Sequence, residues 1–121
     1  MVEEFMRRLM EFVNSYEKLF NEFVSRLIRE YPNVTVILFG SRARGDNEPS
    51  SDFDVAVIMS CGDRLKAASE LYRLAPPIPI DIVVLCPEDL NDPVVNAMLK
   101  GGKLLHDGLN LRDRLRELGI T

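Results

Sequence analysis

The sequence predicts a small mixed-sheet α/β domain, and three observations predict it. The first thirty residues repeat apolar side chains at intervals of three and four; two β-branched runs, at about 34–39 and 52–58, flank a glycine-rich polar connection; and a third run, at 80–85, follows a helix-length segment and a proline cluster. At 121 residues the chain fits one domain, 1–121, with a modest core. Its 46% hydrophobic and 28% charged residues are ordinary for a globular protein.

Taken in order, residues 3–30 read as helix through Phe5, Leu9, Phe12, Val13, Tyr16, Leu19, Phe20, Phe23, Leu27 and Ile28. Asn14 with Glu17 could close a capping box and make a helix pair, but the apolar phase runs through that point and favours one long helix. Tyr31-Pro32 ends it, because proline disfavours helical geometry in the residue before it. Val34–Phe39 is nearly continuous in apolarity, as a strand covered on both faces would be. Asp54–Ile58 supplies a second strand, beginning a residue or two earlier. Residues 63–75 read as helix through Leu65, Ala68, Leu71, Tyr72 and Ala75, and Pro76-Pro77-Ile78-Pro79 stops it before the third strand. The tail reads as helical, with one stripe at Val94, Val95, Met98 and Leu99 and another at Leu111, Leu115 and Leu118, interrupted by Gly101-Gly102 and Gly108.

A net charge of −4 and a pI of about 5.0 weigh against broad nucleic-acid binding, so nucleic acid is not the expected main partner. No apolar stretch approaches membrane-spanning length, and the acidic Met1-Val2-Glu3-Glu4 start is unlike a signal peptide; the expected location is the cytoplasm, with no membrane partner. Cys61 and Cys86 form no CxxC pair and have no histidine cluster, so a structural zinc site is not expected; free thiols are the better reading, with a disulfide left open. His106 reads as a surface or tail-packing residue. Tyr16, Tyr31 and Tyr72 fall on apolar helical positions and read as packing residues. The leading helix has more apolar surface than so small a core needs, which suggests a homodimer or partner interface.

The chemistry-bearing stretch is Gly40-Ser41-Arg42-Ala43-Arg44-Gly45, followed by Ser51-Asp52-Phe53-Asp54 and Ile80-Asp81-Ile82. Asp52 and Asp54, two apart, point to the same face of an extended chain while Phe53 points to the core. Antiparallel pairing of the first two strands would bring Gly40 to Asp52, and parallel pairing of the second and third, through the 63–75 crossover, would add Asp81. Gly40 permits a tight turn and close approach of a phosphate, Ser41 offers a hydroxyl and a backbone N–H, and Arg42 and Arg44 are candidate charge-neutralising donors, Arg42 favoured as the nearer to the turn. The turn is neither a Walker loop nor a GxGxxG loop.

At these positions the chain resembles the DNA polymerase beta-like nucleotidyltransferase superfamily, especially its short minimal branch, some of whose members are antitoxins of HEPN-domain toxins. The resemblance covers about residues 34–85. It implies transfer of a nucleoside monophosphate, most simply AMP from ATP, to an acceptor hydroxyl with release of pyrophosphate. It implies that Asp52, Asp54 and Asp81 are the catalytic carboxylates and ligands of Mg2+, and that Gly40 and Ser41 grip the β- and γ-phosphates. A HEPN-type protein, a second copy, or both are the implied partners. A nonenzymatic nucleotide sensor and an antitoxin-like module acting by complex formation are the alternatives.

Overall fold

The structure is a computed structural model and describes all residues 1–121. Two helices lead the chain, α1 (Val2–Asn14) and α2 (Tyr16–Glu30). They part at Ser15, whose hydroxyl donates to the Phe12 carbonyl at 2.6 Å and whose amide is shared between the carbonyls of Glu11 and Phe12. A serine bonding back to the preceding turn competes with the helical ladder and breaks the run there. The favoured single helix is therefore a helix pair, and the Asn14–Glu17 capping box does not form, since α2 has no side-chain cap. Buried residues appear only in α2, at Phe20, Phe23 and Leu27; α1 buries none.

The sheet has four strands in the order β3-β2-β1-β4. β1 (Thr35–Phe39) and β2 (Phe53–Ile58) are antiparallel, and β2 pairs in parallel with β3 (Ile80–Leu85) through the crossover helix α4 (Arg64–Leu74). A four-residue helix, α3 (Ser41–Arg44), caps the end of β1. After β3 come a 3-10 turn at Pro87–Asn91 and α5 (Pro93–Leu99), capped by the Asp92 side chain on the Val94 amide.

The tail holds both expected helical segments and, between them, a strand the expectation lacked: Lys103–Asp107 forms β4, antiparallel to β1 on its free edge, before α6 (Arg112–Glu117). Its five residues lack a clear alternation, and what makes them a strand is the open edge of β1, whose amides and carbonyls need partners. A side chain at Gly108 would strike the carbonyls of Pro32 and Val34, so the approach of the tail to the start of β1 requires that glycine. His106 bonds the Pro32 carbonyl through Nε2 at 2.9 Å, and Asp107 accepts from Thr35 Oγ1 and from the amides of Leu111 and Arg112.

Both faces of the sheet are covered, and the period of two assigns residues to each. Val36, Val55, Val57 and Ile82 pack with Phe20, Phe23, Leu27 and Leu71 under α2 and α4. Ile37, Ala56, Ile58 and Leu85 pack on the other side with Leu90, Leu99, Leu115 and Ile120. Cys61 and Cys86, just beyond the ends of β2 and β3, are joined as a disulfide with their Cα atoms 5.2 Å apart, which overturns the free-thiol reading. Parallel register brings the two strand ends side by side, and that proximity is invisible in a spacing of 25 residues. No helix is long and apolar enough to cross a membrane.

Candidate active site

Register alone gathers the sequence-predicted carboxylates. Phe39, the last residue of β1, pairs with Asp54, and Asp54 pairs with Asp81 on β3, so the turn after β1, the head of β2 and the head of β3 meet at one end of the sheet. Asp52 lies just before β2, with Phe53 buried between the two aspartates.

Gly40 takes φ 78° and ψ −159°, a backbone region open essentially to glycine. A methyl group there would collide with the Asp54 carboxylate, so the turn is seated directly on that side chain. The Gly40 carbonyl accepts from the amides of Ala43 and Arg44, which winds Ser41–Arg44 into its single helical turn.

The two arginines part company. Arg42 is buried and turned away from the carboxylates: its Nε donates to the Ser51 carbonyl at 3.0 Å and its Nη2 to the Pro49 carbonyl at 2.8 Å. Its guanidinium lies 3.8 Å from the centre of the Phe53 ring, which itself stacks on Phe20 at 4.4 Å. This Phe20–Phe53–Arg42 pile anchors the segment between Asp52 and Asp54 and ties down the connection from the turn. Arg44 is exposed, pairs with Asp46 at 3.3 Å, and opposes the negative field at Asp54. Of the two, Arg44 is therefore the one whose charge is felt at Asp54, the reverse of the order expected from distance along the chain.

The electrostatics centre on Asp54. Desolvation, then the charges of Asp81 and Asp52, push its carboxyl above the ordinary aspartate range, with Arg44 pulling the other way. Asp52 and Asp81 are exposed, and the oxygens of the three carboxylates do not all lie within 4.8 Å of one another, so they face an open space without closing on it. A surface hollow of about 750 Å3 runs along the polar face of α2 and contains none of these residues.

Tyr72, read from sequence as a packing residue, has a second contact. Its hydroxyl accepts from the Ile82 amide at 2.9 Å and approaches Asp81 Oδ1 at 3.5 Å, so α4 reaches the third carboxylate. The one signal for it in the sequence is a hydroxyl on an otherwise aliphatic helical stripe. Chemically, the set offers hard oxygen donors, a close-approach glycine turn and one exposed cation, a combination suited to a polyphosphate with divalent metal.

Residues 22–108 match the family described as polymerase beta, nucleotidyltransferase. No curated protein sequence matches the chain. Among solved structures, the chain is similar to a Sulfolobus solfataricus protein described as a candidate nucleotidyltransferase, with 26% identity, a TM-score of 0.57, and coverage of 72% of this chain and 76% of that one. A toxin–antitoxin structure with AMP-PNP is a looser likeness, at 23% identity and a TM-score of 0.47 over 81% of this chain and 79% of that one. With the match spanning most of its length, and the paired and third aspartates inside it, this chain belongs to the polymerase beta nucleotidyltransferase family.

Proposed function

We propose that this chain is a magnesium-dependent nucleotidyltransferase that transfers AMP from ATP to a hydroxyl of a partner protein and releases pyrophosphate. The observation that carries the reading is the seating of the Gly40 turn on Asp54, with Asp81 in register beside it. A phosphate gripped by the turn is thereby next to the carboxylates.

The residues fit a magnesium-class cation: Asp52, Asp54 and Asp81 are all-oxygen donors, and the Asp54 carboxyl is raised first by its burial and then by the charges of Asp81 and Asp52, which Arg44 opposes. When bound, such ions offset the charge of the triphosphate and of the leaving pyrophosphate. The protein's own part is positional. Gly40 and Ser41 hold the β- and γ-phosphates, and Arg44 adds a mobile positive charge. Asp81, approached by Tyr72, faces the acceptor side and helps deprotonate the attacking hydroxyl. One bond forms from that oxygen to the α-phosphorus as the bond to the pyrophosphate oxygen breaks.

Asp52 and Asp81 are exposed, so a second protein can approach them directly. The acceptor is assigned to such a protein, of the HEPN class by the resemblance of the motifs, with a second copy as the other candidate.

The test is incubation with α-labelled ATP, magnesium and the protein encoded beside this one, followed by intact-mass measurement of every chain. The expected result is an AMP-sized increment on the partner, absent with Asp54→Asn. A folded protein whose triphosphate binding, followed by calorimetry, does not respond to magnesium overturns the metal-dependent reading. Labelled nucleic acid in place of protein overturns the acceptor.

A further inference from the structure

A second group of ligating side chains lies at the opposite end of the same two strands. Cys61 follows β2, Cys86 follows β3, and Glu88 opens the 3-10 turn; one ligand atom from each, the two sulfurs and a carboxylate oxygen, lie within 4.8 Å of one another. Cys61 and Glu88 are exposed and Cys86 is buried, so the set opens to solvent on one side only.

The contact between Glu88 and Cys61 is informative. Glu88 Oε2 lies 3.0 Å from Cys61 Sγ and has no other hydrogen-bond donor and no cationic partner; the nearby Arg64 is paired with Asp89. A disulfide sulfur carries no proton, so the contact is no hydrogen bond while the two cysteines are joined. The same approach is favourable once the sulfur is a thiol that donates to the carboxylate, or once a cation sits between them. Asp89 is already committed to the Cys86 amide at 2.8 Å and to Arg64, which holds the 3-10 turn, and Glu88 with it, in place.

We propose that the Cys61–Cys86 bond is reversible and that the reduced pair, with Glu88, binds a thiophilic divalent cation of the zinc class. Metal and disulfide then exclude each other at this end of the sheet. Reduction by a small dithiol passes two electrons and two protons to the sulfurs, leaving two thiols and the reductant as its own disulfide. Metal entry displaces the two thiol protons to solvent. Tetrahedral zinc with sulfur ligands at about 2.3 Å holds them about 3.8 Å apart, a separation that Cys61, on an exposed bend, can reach by moving outward. Three protein ligands leave the fourth position to water. Hard-ligand magnesium is excluded by the sulfurs, so this site and the aspartate site differ in the metal class they select.

Cobalt(II) titration of the full-length reduced protein tests this. Sulfur ligation gives near-ultraviolet thiolate-to-cobalt absorption that carboxylates alone cannot produce. The expected result is absorption that saturates at one equivalent, disappears on adding zinc, persists in Asp54→Asn, and is lost in Cys61→Ser. Glu88→Gln should weaken binding about tenfold or more. The oxidised protein, two hydrogens lighter by mass, should show none. Cys61 is exposed, so its serine variant keeps the fold. No thiolate absorption from the reduced protein, or undiminished absorption in Cys61→Ser, overturns the proposal.

Discussion

Asp54 is held where its charge is unfavourable, with desolvation the first cause and its two carboxylate neighbours the next. A group whose carboxyl is raised in the folded state destabilises the fold as it ionises, so Asp54→Asn should keep the metal-free protein's thermal midpoint or raise it by up to a few degrees at neutral pH, while abolishing transfer. A thermal scan beside the labelling assay checks both halves; a marked drop in midpoint would mean that Asp54 serves packing instead. The arginines offer a second test. Arg42→Met removes two bonds to loop carbonyls and the stacking on Phe53, and should cost about 2 kcal/mol in a denaturant titration. Arg44→Met should leave stability within about 0.5 kcal/mol of wild type and weaken triphosphate binding. The opposite pattern would restore Arg42 to the phosphate side.

At the scale of elements, α1 and α2 have the same apolar periodicity but different roles. Leu27 and Phe23 are enclosed between α2 and the sheet, whereas Phe5, Met6, Leu9, Met10 and Phe12 along α1 are all more than 40% exposed. Leu27→Ala should therefore destabilise by about 2–5 kcal/mol, and Leu9→Glu by no more than about 0.5 kcal/mol, in equilibrium unfolding at low protein concentration. A large loss from Leu9→Glu would show that α1 packs on something in solution. Periodicity reports that a helix has an apolar face; it carries no information on whether the core extends far enough to cover that face.

For the molecule as a whole, the closure of the tail on β1 depends on the ionised form of one carboxylate. Asp107 bridges Thr35 on β1 to the amides of Leu111 and Arg112. Desolvation alone would raise its carboxyl, but the bonds from Leu111, Thr35 and Arg112 outweigh it and hold the group below the usual aspartate range. Its ionised form thus adds stability that is fully present above the unfolded value of about 3.9 and is lost as pH falls through the lower folded value. Asp107→Asn should be less stable than wild type at pH 6, and the two unfolding curves should converge as pH drops below about 4. Curves that stay parallel across that range would remove Asp107 from this role.

What the sequence determined by itself is local or periodic. The first three strands, the crossover helix and the clustering of Gly40, Asp54 and Asp81 follow from apolar runs, from the parity of Asp-x-Asp, and from the rule that a helix between strands makes them parallel. Tertiary structure decided what depends on partners distant along the chain. β4 is a strand because β1 has a free edge, Arg42 is anchored because Phe53 and two loop carbonyls surround it, and Tyr72 reaches Asp81 because α4 crosses the head of β3. Cys61 meets Cys86 because parallel register aligns two strand ends. In each case a polar or short segment has several local options of similar energy, and the surrounding fold selects one by the hydrogen bonds and burial it supplies.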